Sequence, residues 1–489
     1  MKIAFVNLNK GDATNLGIVS LLTCIHKERL VVETETFDIN INQPLSEDII
    51  KYNPNVVAIS SMTYFYNSAI ILAKKIKEEL PRCKVIIGGS HISTLPVSLD
   101  PIFDFGVIGE GEITIIEFLR NGLKNNFNKN KLKEVDGLAF YENNQLIVTN
   151  PRKFIEDLDT IPYLDKSLIP KEYLKKHVLQ DGTYGRKLPL ITSRGCPYCC
   201  AFCSSSVFWG QKVRYHSAEY VVKEIKDYVQ NYDVSYIHFW DDLFTINRPR
   251  LKKIAELLKK ENIKITASAE IRANLVDDEL CGILKDIGVV SIGFGFESGN
   301  DRILKFLKKN VTVEDNKRAI DICKKHGFLV QGSVIFASPT ETLKEMEETE
   351  EFLEYCIEKD CENLWTYVLT PLPGTEVWEI AKQRGKVFDV GMDWNKLSLH
   401  RVDDPLLLDS EINIEDFKKK ILEVRLKLRY FKWKKIKRDL KRNPLTLIKN
   451  TLRNPDLFYK LIFRKPINEE YWQIKSKQLP PKRSGFKHN

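Results

Sequence analysis

The chain has 489 residues, 43% hydrophobic and 29% charged, the composition of a soluble globular protein that is too long for one ordinary core, so two or three domains are expected. No apolar run approaches the roughly eighteen residues of a membrane span, and the start MKIAFVNLNKGDATNLG lacks the basic, apolar and small-residue segments of a secretory signal, so a cytoplasmic protein is expected. The net charge of +9 is uneven: residues 417–489 hold 23 Lys and Arg against 5 Asp and Glu, so the tail is basic and the rest acidic.

In chain order, the first 120 residues alternate short apolar runs (KIAFVNL, VVETETFDI, PNVVAISS, CKVIIGG, DFGVIG) with helical segments such as NSAIILAKKIKEELP. Apolar strands separated by helices predict a doubly wound, Rossmann-like parallel sheet over 1–125. Ligands of such sheets bind at the carboxyl ends of the strands. Those ends carry Ser60, Ser61, Gly88, Gly89, His91, Gly109 and Glu110. Residues 126–185 read as a connector with a hairpin candidate, GLAFYENNQLIVT. From about 186 to 400 the strand–helix rhythm resumes with YIHFWDD, KITASAEI, VVSIGFGFES, LVQGSVIFASP and LWTYVL, which predicts a partial (β/α) barrel with its chemistry on the strand-end loops. A basic helical extension occupies 401–489.

Ten cysteines are thinly spread except for TSRGCPYCCAFCS, which opens the barrel. Thin spacing argues against a disulfide framework, so this cluster is read as metal-binding or catalytic. Cys196, Cys200 and Cys203 lie on one turn after an apolar strand. Three thiolates on a tight loop can hold three irons of a four-iron cluster and leave the fourth iron open. A structural zinc site wants a fourth protein ligand, and no second Cys or His pair stands at zinc-finger spacing.

The CxxxCxxC run with Phe202 before its last cysteine resembles the radical S-adenosylmethionine (SAM) superfamily motif. The resemblance implies a 4Fe-4S cluster on Cys196, Cys200 and Cys203, with Cys199 left as a non-ligand. It implies that the open iron binds SAM and reduces it to methionine and a 5′-deoxyadenosyl radical, with ferredoxin or flavodoxin as electron donor. Further matches follow in order. Asp241 and Asp242 stand where members meet the SAM amino group; a helix N-cap is the plainer alternative for them. Arg272 falls at a strand end facing the site. Glu297 and Ser298 stand where members contact the SAM ribose or carboxylate. Ser338 takes the place of a usual glycine in the strand end VIFASPTET.

The N-terminal segments VVAISSMTY, KVIIGGSHIST and VIGEGE resemble the cobalamin-binding domain that precedes many radical SAM barrels. By that resemblance Ser60, Ser61, Gly88, Gly89, His91, Gly109 and Glu110 line a groove for cobalamin; for His91 a plain backbone hydrogen bond is an equal reading. The loop NLNKGDATNLG has no histidine to ligate cobalt from below. The implied activity is a cobalamin-dependent radical SAM methyltransferase, using methylcobalamin on an unactivated carbon or phosphorus of a small-molecule or lipid-like substrate.

Three other readings stand beside it. Ring closure or rearrangement, as in the anaerobic magnesium-protoporphyrin monomethyl ester cyclase, shares the layout. A non-catalytic iron–sulfur or cobalamin sensor is the reading from another class. A methylthiotransferase fits poorly, because the N-terminal 120 residues hold only Cys24 and Cys83. In the tail, Phe417, Ile421, Val424 and Leu428 form one helical stripe and Trp433, Ile436 and Leu440 another, with breaks at Pro444 and Pro455. That pattern fits a surface helix for an anionic membrane, making the protein peripheral to it. A helix packed by its stripe fits as well, and nucleic acid is the less favoured partner.

Overall fold

The computed structural model describes residues 1–11, 14–179, 183–398, 405–408 and 412–442, the last eight by backbone alone. A compact unit, Met1–Phe417, holds two sheets, and a second unit begins at Lys418.

The first sheet contains β1 (Lys2–Asn7), β2 (Glu33–Asp38), β3 (Val56–Ser60), β4 (Lys84–Gly88), β5 (Phe105–Val107), β6 (Leu138–Glu142) and β7 (Gln145–Val148), in the order β2-β1-β3-β4-β5-β6-β7. The first five strands run parallel; β6 is antiparallel to β5 and to β7. The expected hairpin is thus β6–β7, and it extends this sheet. Asn143 and Asn144 both take positive φ (48° and 62°) at its tip, the backbone that a two-residue hairpin turn requires. Helices cover both faces. The helix Leu16–Lys27 starts where the Asn15 side chain accepts the Ile18 N–H, and eight of its residues are buried.

The second sheet contains β8 (His177–Val178) and β9 (Tyr184–Leu190); a separate two-stranded ribbon, β10 (Ser193–Arg194) with β11 (Arg214–Tyr215), follows in the chain. It continues with β12 (Val234–Phe239), β13 (Thr266–Ile271), β14 (Val289–Glu297), β15 (Leu329–Phe336) and β16 (Leu364–Val368). Its order is β16-β15-β14-β13-β12-β9-β8, parallel throughout except for β8. The six parallel strands curl into a half-barrel. Capping boxes at Thr312–Asp315 and Thr342–Glu345 start the helices that precede β15 and β16.

One apolar cluster joins the two sheets, running from Leu8, Ile59 and Ile92 of the first to Ala201, Ile303, Ile335 and Leu369 of the barrel. Removal of that apolar surface from water fixes how the strand ends of one sheet face those of the other. The helix Ile414–Arg442 carries the first tail stripe, and Trp433 is exposed on it. The expected contacts of Ile436 and Leu440, and both proline breaks, fall outside the described residues. No described helix is long and apolar enough to cross a membrane.

Candidate active site

The cysteine loop is held from the end of β12. Asp241, which is buried, accepts the Thr192 N–H (3.1 Å), the Thr192 hydroxyl (2.9 Å) and the Ser193 hydroxyl. Burial pushes its carboxyl up to about 6 despite those donors. Asp242 accepts the Gly195 N–H at 3.1 Å. Neither aspartate caps a helix; the helix Arg248–Lys260 is capped by Asn247. Gly195 sits at φ 99°, with the Lys212 carbonyl oxygen 2.5 Å from where a Cβ would stand, so the turn into Cys196 needs glycine.

Cys196, Cys200 and Cys203 are partly buried, while Cys199 is exposed. Burial pushes the Cys203 thiol up to about 11 and raises Cys196 as well, so both are protonated thiols in the absence of a metal. Arg272, just past β13, lies over the Tyr198 ring (3.7 Å) and puts Nη1 3.6 Å from Cys200 Sγ. Its Nε and Nη2 are buried without a protein partner, as are Ser338 Oγ, Glu341 Oε1 and Asp241 Oδ2. Such orphaned groups cost free energy unless a ligand satisfies them. Burial also pushes Glu341, in the same loop as Ser338, up to about 8.

The other expected SAM residues have partners within the protein. Glu297, at φ 65°, pairs with Lys309 at 2.7 Å. Ser298 has no exposed surface; its hydroxyl meets Thr349 Oγ1 (3.1 Å) and accepts the Asn300 N–H (3.1 Å). Phe202 packs against the core shared by the two sheets.

On the first sheet the strand order reverses between β1 and β3, and Asn15 ties those two ends together through Asn7 (3.1 Å) and Ser60 (3.3 Å). Beside this point lies a cavity of about 360 Å³, walled by Ser60, Gly88, Gly89 and Gly109 on one side and by Ser193, Arg194, Trp240 and Asp242 of the barrel on the other. Much of the remaining wall is aliphatic, including Leu16, Ile18, Ile59 and Ile115. Gly89 (φ 103°) lies so close to the end of β3 that a Cβ would stand 2.6 Å from the Ser61 carbonyl oxygen.

Two expected cobalamin residues do not line this cavity. Ser61 is buried, its N–H on the Gly88 carbonyl (3.0 Å) and its hydroxyl on the Met62 carbonyl (3.0 Å). His91 has no exposed surface: its Nδ1 is 3.2 Å from Thr63 Oγ1, its Nε2 3.0 Å from Ser98 Oγ, and its ring lies against Tyr66 and Trp394. Burial pushes the imidazole down to about 3, so it is neutral and holds the loop after β4.

Glu110 lines the cavity but is fully engaged. It pairs with Arg194 (2.5 Å) and Arg214 (3.0 Å) and accepts the Ile155 N–H (2.7 Å). Arg194 gives its other nitrogen to Glu112 at 2.6 Å. Burial alone would raise the Glu112 carboxyl; the Arg194 charge and hydrogen bond outweigh it and hold the group below its ordinary value. Arg194 stands two residues before Cys196, so carboxylates of the first sheet grip the base of the cysteine loop. Sequence reasoning missed Arg194 and Arg214 and the pairing of Glu112, because a pairing across 82 to 104 positions leaves no local pattern.

Comparison with known proteins agrees with this layout. Residues 4–119 match the B12 binding domain model and residues 190–353 match the Radical SAM superfamily model. An uncharacterized methyltransferase of Pyrococcus horikoshii is 31% identical over 393 residues, covering 78% of this chain and 81% of the relative. The chain belongs to the cobalamin-dependent radical SAM methyltransferase family. The anaerobic magnesium-protoporphyrin IX monomethyl ester cyclase of Cereibacter sphaeroides is 26% identical over 355 residues, 71% of this chain and 56% of that one. The radical SAM methyltransferase TsrM of Kitasatospora setae, solved with cobalamin and a [4Fe-4S] cluster, shares the fold at TM-score 0.61 and 17% identity, over 78% of this chain and 75% of that one. The cofactors of the family member described here are accordingly a 4Fe-4S cluster, SAM and cobalamin.

The residues present fit these groups. Three partly buried thiols and an arginine with two unpartnered N–H groups suit a cluster and a carboxylate-bearing ligand. A glycine-floored, largely aliphatic cavity at the strand ends suits a large cofactor held by shape.

Proposed function

We propose that this enzyme methylates an unactivated carbon of a small molecule lodged between the two sets of strand ends. One observation carries the reading: Asp242 both lines the cavity of the first sheet and holds the Gly195 N–H one residue before Cys196, so the two cofactor sites adjoin. When bound, the cluster with SAM would supply a radical that abstracts a hydrogen atom from the substrate, and the corrinoid would supply the methyl group.

The chain's own residues bind, orient and exclude water. Cys196, Cys200 and Cys203 hold the iron, and Arg272 places a cation beside Cys200 Sγ while offering its free N–H groups to SAM. Asp242 and Ser338 complete the SAM contacts, whereas Asp241, Glu297 and Ser298 hold the loops in shape. Ser60, Gly88, Gly89 and Gly109 let cobalamin approach the backbone. An external one-electron reductant is required, and ring closure is the second reading because the cyclase relative shares much of the chain.

The test is metal and product analysis after anaerobic reconstitution with cobalamin. About four iron and one cobalt per chain, with 5′-deoxyadenosine and S-adenosylhomocysteine both formed from SAM, support methyl transfer. 5′-Deoxyadenosine without S-adenosylhomocysteine favours ring closure. Alanine at Cys196, Cys200 or Cys203 abolishes 5′-deoxyadenosine, and Cys199→Ala leaves it intact; loss through Cys199→Ala alone would overturn the ligand assignment.

A further inference from the structure

The half-barrel interior holds a carboxylate that the site described above does not employ. Parallel register sets His238 opposite Ser268, Glu270 opposite Gly293, Gly293 opposite Gln331, and Ser333 opposite Trp365. Residues in register share a face, and faces alternate along each strand. His238 reaches Ser268 Oγ at 2.6 Å on this face, and Arg272, two positions beyond Glu270, reaches Cys200. The face that carries Glu270 is therefore the one beneath the cysteine loop.

The Glu270 carboxylate rests on Gly293: a Cβ there would stand 2.2 and 2.3 Å from its two oxygens. Lys309, whose charge acts on Glu270, is paired with Glu297 at 2.7 Å. Glu270 has no hydrogen-bond or ion-pair partner among the described residues, and solvent reaches it. Protein still surrounds it enough that burial raises its carboxyl above the ordinary value, with the Lys309 charge opposing. Burial and then the charges of Glu270 and Glu297 raise the Tyr367 phenol, which places that ring near both carboxylates. Trp240 and Trp365 belong to the same face and are 41% and 44% exposed, unusual for tryptophan in a barrel interior.

We propose that this recess anchors the substrate, with Glu270 receiving an ammonium group and Trp240, Trp365 and Tyr367 receiving an attached apolar body. The inference rests on the radical SAM reading above. A carboxylate on this inner face that no described protein group pairs with is open to a cation, and an alkylammonium gives it a charge-assisted hydrogen bond. Aromatic faces around it attract the cation and bury the hydrocarbon. A matched carboxylic acid meets like charge instead.

The experiment uses saturation-transfer NMR on the full chain, anaerobically reconstituted and supplied with SAM, with 2-phenylethylamine and 3-phenylpropanoate as matched probes. The amine binds wild type and the acid does not, and Glu270→Gln weakens the amine about tenfold, the equivalent of about 1.4 kcal/mol. Gly293→Ala, whose methyl displaces the carboxylate, weakens it too. Equal amine binding by wild type and Glu270→Gln, or none by wild type, overturns the proposal. 5′-Deoxyadenosine formation is measured in the same samples without probe. Its absence from wild type would sink the radical SAM reading, whereas its loss in Glu270→Gln alone would make Glu270 a SAM contact and overturn the substrate assignment.

Discussion

At the carboxyl ends of the first sheet the chain offers backbone: Ser60, Gly88, Gly89 and Gly109 border an aliphatic cavity, and the charged groups there are paired. At the carboxyl ends of the half-barrel it offers side chains: three thiols free of disulfides, an arginine with two orphaned N–H groups, and buried oxygens on Ser338 and Glu341 without partners. The two ends suit different ligands. A large preformed cofactor is held by area and shape, which asks for glycine and aliphatic walls. A cluster and a zwitterionic ligand are held by charge and coordination, which asks for groups that the protein leaves unsatisfied.

The clamp between these regions is where the comparison breaks most visibly. Arg194 and its partners Glu110 and Glu112 are each at most 14% exposed. Arg194→Ala leaves the buried Glu112 without its cation while Glu110 keeps Arg214, which costs about 3 to 5 kcal/mol. Anaerobic urea unfolding should show that loss, and the variant should retain less of both iron and cobalt. Arg194→Lys keeps the charge but loses the two-pronged grip, so its loss is smaller. Loss of one metal with full retention of the other would show that the two ends are independent.

A smaller effect sharpens the backbone side alone. Gly89→Ala puts a methyl 2.6 Å from the Ser61 carbonyl oxygen at φ 103°, a strain of about 2 kcal/mol. Cobalt retention should fall while iron stays at the wild-type level. Equal loss of both would mean that the strand end shapes the whole unit rather than the cavity.

Much of this difference is legible in the sequence, but unequally. Apolar runs gave every strand of the first five parallel positions, and the Cys196–Cys203 spacing announced the loop, because both are local patterns. The small residues at positions 60, 88, 89 and 109 could be placed at strand ends for the same reason. What side chains do once there was less readable. Asp241 looked like a ligand or a cap; it is no cap, one of its oxygens pins Thr192 and Ser193, 49 and 48 positions away, and the other has no protein partner. Glu110 looked like a cofactor contact and is held by two arginines from the barrel. Glu270 escaped notice because its interior position depends on pairing with β14.

His91 is the residue where two readings, cofactor contact or packed histidine, were equally available, and its titration gives the smallest of these effects. Its partners Thr63 and Ser98 are uncharged, and its neighbours Tyr66 and Trp394 are aromatic. The free imidazole titrates near 6.5, and burial lowers the folded value to about 3. Between those values the unfolded chain binds a proton that the folded chain refuses, so stability falls as pH drops through 6.5 toward 3. From pH 7.5 to pH 5 the loss is about 2 kcal/mol, at about 1.4 kcal/mol per pH unit below the unfolded value. Urea unfolding at the two pH values should show that much more acid loss in wild type than in His91→Gln, which has nothing to titrate. Equal acid sensitivity in the two would mean that His91 is solvated in solution, and the strand end it packs would be open to the cofactor after all.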